Sequence, residues 1–177
     1  SPPDETGDTG STTTDSDPPP DDDCVETDDL VYVLARDDGR LYEFDPSTAT
    51  FSSLGVPHCG TSASPGSMAV SREGVAYVRY SDDSVYSIDL ATLACTKTSY
   101  SPHSSGFGDF GMGYATDDPY TWHDALYVAN SSSVGVLDTS TWSITTLGHL
   151  PSQSELTGNA DGELWAMLPL EHPAELD

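Results

Sequence analysis

The side chains in this sequence that could do chemistry fall into a few groups. The loop Tyr120-Thr121-Trp122-His123 sets two aromatic rings beside an imidazole. Rings with a polar edge are surfaces on which a sugar or a peptide side chain stacks. Tyr120, Trp122 and His123 are therefore the candidate ligand-binding residues, although aromatics near strand starts also pack between neighbouring elements. The five histidines, His58, His103, His123, His149 and His172, form no H-x-x-x-H or H-E-x-x-H pair. A zinc site normally takes two ligands from positions a few residues apart, so no metal site is expected from them. The acid pairs Asp37-Asp38 and Asp82-Asp83 lack the D-x-D-x-D-G spacing of a calcium loop and read as solvated turn residues. Calcium is the one ion such acids would take, and no cofactor is expected. Residues 106–111, GFGDFG, match a glycine-rich phosphate cradle in letters only, because such a cradle opens a helix and β-type sequence follows here. With no G-x-S-x-G elbow either, no catalytic residue is assigned.

Charge narrows the partners. The chain of 177 residues holds 30 acidic and 5 basic side chains. Eleven of the acids fall in residues 1–29, so the remainder is strongly acidic too. A surface of that sign repels phosphate backbones and anionic lipid, which excludes nucleic acid and direct membrane-surface binding. No apolar run reaches the ~18 residues needed to cross a bilayer. Scarce lysine with abundant Ser, Thr, Asp and Gly suits an extracytoplasmic bacterial protein. Of Cys24, Cys59 and Cys95, the leading disulfide is Cys59–Cys95. Cys24 could reach either of the others, and three reduced thiols are the alternative.

Two regions must position these groups. Residues 1–29 begin with a stretch, 1–23, that has no apolar side chain and includes Pro18-Pro19-Pro20. It has nothing to bury against the ~1–2 kcal/mol per residue of backbone entropy, so it reads as a disordered acidic leader. Its expected use is as a spacer from an envelope anchor, with a lipid anchor upstream of Ser1. The body, residues 30–177, alternates short β-type runs with turns such as Asp37-Asp38-Gly39, and no run repeats at helical spacing.

Within the body one grammar recurs. A strand centred on an aromatic (Tyr32, Tyr77, Tyr127, Trp165) turns into a second strand ending in an aspartate (Asp45, Asp89, Asp138, Asp177). The aromatics are separated by 45, 50 and 38 residues, close to the ~40–50 of a propeller blade. Third strands are expected over residues 51–56, 95–100 and 142–147, and inner strands over 67–70, 110–114 and 155–158. Ala69, Gly111, Gly113 and Gly158 keep those inner strands small, as convergence on an axis requires. The four aspartates are expected to accept backbone N–H bonds and fix the turn into the next strand, rather than ligate metal.

The motifs EFDPSTAT, SIDLATLA and VLDTSTWS resemble the blades of YVTN-type and quinoprotein-like β-propellers. With the F-G-M-G strand at 110–113 and the E-L-T-G strand at 155–158, the chain is similar to uncharacterised secreted or lipid-anchored bacterial propellers. The resemblance covers 30–177 and implies architecture, not a reaction. The fold class is thus all-β, a partial β-propeller of about three complete or near-complete four-stranded blades plus the start of another. The first unit lacks an inner strand and the fourth its outer two, so further units are expected beyond Asp177. The expected role is an extracytoplasmic, non-catalytic binding or scaffold module for a protein or glycan. The alternative is a lactonase- or quinoprotein-like enzyme with an axial metal or cofactor; among the acids, only Asp109 and Glu155 lie in or beside the inner strands.

Overall fold

The structure, a computed structural model, describes residues 30–118 and 123–168. The first sheet holds β1 (Val31–Leu34), β2 (Leu41–Asp45) and β3 (Thr50–Gly55), in that order. The second runs β4 (Pro65–Val70), β5 (Val75–Tyr80), β6 (Val85–Asp89) and β7 (Cys95–Lys97). After a single helical turn, α1 (Pro102–Ser105), the third sheet contains β8 (Gly111–Asp118), β9 (His123–Ala129), β10 (Ser133–Asp138) and β11 (Ser143–His149). A last pair, β12 (Glu155–Gly158) and β13 (Leu164–Met167), completes the described residues. Every pairing is antiparallel and joins strands adjacent in sequence. Each sheet is a meander, and the chain steps from the outer strand of one to the inner strand of the next. This is a partial β-propeller.

Alternation along the strands creates the layers between blades. On β5, Ala76, Val78 and Tyr80 are buried together with Tyr86 and Ile88 of β6, and Leu34 of the first blade packs against them. Tyr77, on the opposite face of β5, belongs to the layer between the second and third blades, with Val85, Phe110, Met112, Leu126 and Val128. Each fully buried aliphatic or aromatic side chain contributes ~1.5–3 kcal/mol, so these two layers hold the blades in succession. Inner strands adjoin as well: β4 lies beside β8, and β8 beside β12. A Cβ on Gly111 would stand 2.2 Å from the Ser154 carbonyl oxygen, and one on Gly113 would be 2.8 Å from the Leu156 backbone. Only glycine admits backbones that close.

Two details depart from the sequence expectations. The third strand of the second blade ends at Lys97 rather than Tyr100. Thr98 turns it off by donating both its N–H (3.0 Å) and its hydroxyl (2.8 Å) to the Val85 carbonyl, and Tyr100 is buried, its hydroxyl donating to the Phe107 carbonyl. The connection that follows contains the helical turn. Pro102 supplies a preset φ at its start, and Gly106 closes it with φ 75°.

Candidate functional site

The β4–β5 turn, the adjacent ends of β8 and β9 and the end of β10 frame a groove of about 700 Å³ at one end of the second and third blades. The tight β4–β5 turn, residues 71–74, closes through Gly74 N–H to Ser71 O (3.0 Å), with Gly74 at φ 75°. It carries Arg72 and Glu73 to the rim. From the third blade come Asp117, His123 and Asp124, flanking the β8–β9 connection, and Asp138 at the end of β10. The wall is aromatic: the Tyr77 ring lies 6.3 Å from Tyr114 and 5.8 Å from Trp142. Val75, Ala125 and Val136 add apolar surface.

Its polar groups are partly committed. Arg72 donates to Asp124 from both Nε (2.6 Å) and Nη2 (2.7 Å), a bidentate pair tying the second blade to the third. Asp124 also accepts the Thr116 hydroxyl at 2.9 Å, from the residue directly opposite it on β8. His123 Nδ1 sits 2.8 Å from an Asp117 carboxylate oxygen, and both side chains are exposed. Burial pushes the Tyr114 phenol well above its ordinary range, reinforced by Tyr77 and by the negative fields of Glu73 and Asp124. Tyr114 therefore stays neutral and offers a hydroxyl, not a base.

The repeated aspartates lie at this same end of the blades and are occupied by their own turns. Asp45 accepts from Ser47 N–H (2.8 Å), Ser47 Oγ (2.6 Å) and Thr48 Oγ1 (2.8 Å). Asp138 repeats the arrangement with Ser140 and Thr141 at the same distances. Asp89 accepts the N–H and hydroxyl of Thr92, each at 2.8 Å. The turns then pass through positive φ at Ala49, Leu93 and Trp142. Hydrogen bonds from Ser140 and Thr141 hold the Asp138 carboxyl down at about 2, and hydroxyl donors lower Asp45 and Asp89 likewise. Asp177 lies outside the described residues.

So do Tyr120 and Trp122, which leaves His123, the first residue of β9, as the described member of that loop's candidate set. Cys59 and Cys95 are disulfide-bonded, with Cα atoms 4.9 Å apart; Cys24 is outside the described residues. The bond joins the connection ahead of β4 to the outer strand β7, and the Tyr80 hydroxyl contacts the Cys59 sulfur at 3.4 Å. The two inner acids are engaged. Glu155 accepts the Ser67 hydroxyl at 2.8 Å, and Asp109 pairs with the buried Arg79 guanidinium at 2.6 Å. No cluster of three His, Cys, Asp or Glu side chains is placed to hold a metal ion among the described residues.

Sequence reasoning missed Arg72, Glu73, Asp124 and the pairing of Tyr77 with Tyr114. One signal was present: Arg72 is one of only five basic residues and lies two residues past the end of an inner strand. Its partner lies 52 residues away, however, and only blade stacking brings them together.

No family model matches this chain, and no curated protein does. Solved structures resemble it over part of their length. The Mitotic Checkpoint Complex chain is 16% identical with a TM-score of 0.49, matching 77% of this chain and 40% of its own. A structural genomics protein of unknown function from Bacteroides thetaiotaomicron is 18% identical with a TM-score of 0.46, over 78% and 36%. Apo AztD from Citrobacter koseri is 19% identical with a TM-score of 0.43, over 72% and 35%. This chain thus spans less than half the length of each.

Proposed function

We propose that this chain is an extracytoplasmic, non-catalytic β-propeller module that binds a protein or glycan partner through the groove between its second and third blades. The carrying observation is that groove itself, where tyrosine rings, an apolar wall and carboxylates from both blades converge. Its described polar groups suit holding a ligand: Arg72 and Asp124 neutralise each other, and Tyr114 is kept protonated. The Cys59–Cys95 bond supports an oxidising compartment. Among the described residues no helix is long and apolar enough to cross a membrane. The composition of residues 1–29 supports a spacer between this domain, residues 30–177, and a lipid anchor at the envelope. An axial enzyme would need polar ligands facing the axis; Glu155 and Asp109 are instead taken up by Ser67 and Arg79, which favours the binding reading.

The test places a photo-reactive amino acid at Glu73 or, as control, at Asp37 in the β1–β2 turn at the other end of the blades. Irradiation in the native envelope should yield a discrete adduct from position 73 and none from position 37. Equal labelling from both, or none from either, would refute the groove as the binding face.

A further inference from the structure

The run of blades carries an exposed apolar face at each end. On the first sheet, Leu34 packs against the second blade, so Val33 beside it, and Val31 two residues earlier, lie on the opposite face. Register carries that face across the sheet: Val31 stands opposite Phe44, Phe44 opposite Phe51, and Val33 opposite Tyr42. The Phe51 ring lies 4.6 Å from Phe44 and 6.5 Å from Tyr42. None of these five side chains is charged, yet Val31 is 50%, Val33 40% and Phe51 62% exposed. A contiguous patch of that kind marks an interaction surface.

The repeat shows what such a face does. Counted from the strand aromatic and the closing aspartate, Val31, Val33, Tyr42 and Phe44 hold the places of Ala76, Val78, Tyr86 and Ile88 in the second blade. Those four are buried in the layer shared with the first blade. Leu126, Val128 and Leu137 hold matching places in the third blade and are buried in its layer with the second. At the other end, Leu156 is buried where β12 adjoins β8. Trp165 stands opposite its neighbour Thr157, hence on the other face, with Met167 two residues on; they are 49% and 69% exposed. Trp165 holds the place of Tyr77, which packs into the layer between the second and third blades. The first blade therefore presents a face that receives a preceding blade, and the fourth a face that receives a following one.

We propose that a second copy of this chain covers both ends, stacking its fourth blade on this first blade and receiving this fourth blade on its own first, so that two copies close one ring. The groove between the second and third blades plays no part in this contact. Inside the molecule a face of the first kind always meets one of the second, so the contact between copies is head-to-tail. Such contacts either close into a ring or run on as a filament. Blade number favours closure by a pair: four sheets per copy make eight, within the ~4–8 blades of a propeller, whereas three copies would bring twelve. Once one contact forms, the other becomes intramolecular and is favoured by effective concentration.

The experiment is analytical ultracentrifugation of the full chain over a concentration series. A discrete dimer should appear and should strengthen from ~50 to ~500 mM salt, because screening relieves repulsion between two acidic copies. Phe51→Ser and Trp165→Ser should each raise the dimer dissociation constant about 100-fold, roughly tenfold at each of two equal contacts. Leu147→Ser, at a residue 59% exposed on the outer strand of the third blade, should stay within about twofold. As a second measurement, a photo-reactive amino acid at position 51 should cross-link to residues 164–168 of the other copy, and this decides alone if a serine variant does not fold. A monomer at every concentration up to ~100 µM would overturn the proposal and assign both faces to another partner. Open-ended polymers, a dimer that weakens with salt, equal effects of all three variants, or an adduct from 51 to 51 would overturn it as well.

Discussion

Removing the Cys59–Cys95 bond should lower stability by an amount set by the loop it closes. The bonded residues are 36 apart in sequence. Closing a loop of that length removes about 13 cal/mol/K of unfolded-chain entropy, or ~3.8 kcal/mol at 25 °C. For the 135 described residues (89 in 30–118 and 46 in 123–168), an unfolding entropy of ~2.1 cal/mol/K per residue comes to ~0.3 kcal/mol/K. The paired substitution Cys59→Ala with Cys95→Ala should therefore drop the melting midpoint by roughly 13 °C. Loss of the Tyr80 contact to the Cys59 sulfur adds little, since Tyr80 keeps its packing against Tyr86, with rings 5.2 Å apart. The assay is thermal unfolding followed by circular dichroism, with Cys24 replaced in every sample to prevent thiol exchange. Reductant added to the parent protein should reproduce the shift and leave the double variant unchanged. A midpoint that moves by less than about 3 °C would show that the unfolded chain is already compact across this loop, and the entropic argument would fail.

Two other outcomes follow from geometry and charge. Gly111→Ala puts a methyl 2.2 Å from the Ser154 carbonyl oxygen, so the third and fourth blades must separate. Urea unfolding should show a loss of ~1–3 kcal/mol, the range for overpacking, whereas Gly148→Ala, whose added methyl would meet nothing nearer than a Val134 methyl at 3.8 Å, should cost much less. Asp45, Asp89 and Asp138 all have folded pKa values depressed by hydroxyl donors, about 2 for Asp138. What they contribute is thus fully present above ~pH 4, the unfolded carboxyl range, and is lost as pH falls through the folded values. Changing all three to Asn should flatten the decline in stability between ~pH 4 and 2; an unchanged slope would place the acid sensitivity elsewhere.

Much of the architecture was legible because it depends on local pattern. From Val75 to Val78 the Tyr77 strand alternates half-buried and buried residues with period two, and Asp82-Asp83-Ser84 closes its hairpin through Asp82 and the Ser84 N–H at 3.2 Å. Both facts are written within ten residues. The aspartate turns are equally local, since Asp45 finds its partners two and three residues on. Strand ends were less legible. Nothing nearby announces that Thr98 will fold back onto Val85, because that bond needs β6 in place.

The groove belongs to a different order of information. Sequence by itself determined the blades: periodic hairpins, their turn chemistry and the small residues of the inner strands. Each of these acts over a few residues, so order along the chain suffices. Tertiary structure alone decided that Arg72 meets Asp124, that Tyr77 reaches Tyr114, and that Glu73 and Asp138 share one groove. Those side chains come from turns and strands of different blades, and their distances exist only once the apolar faces of two sheets have stacked.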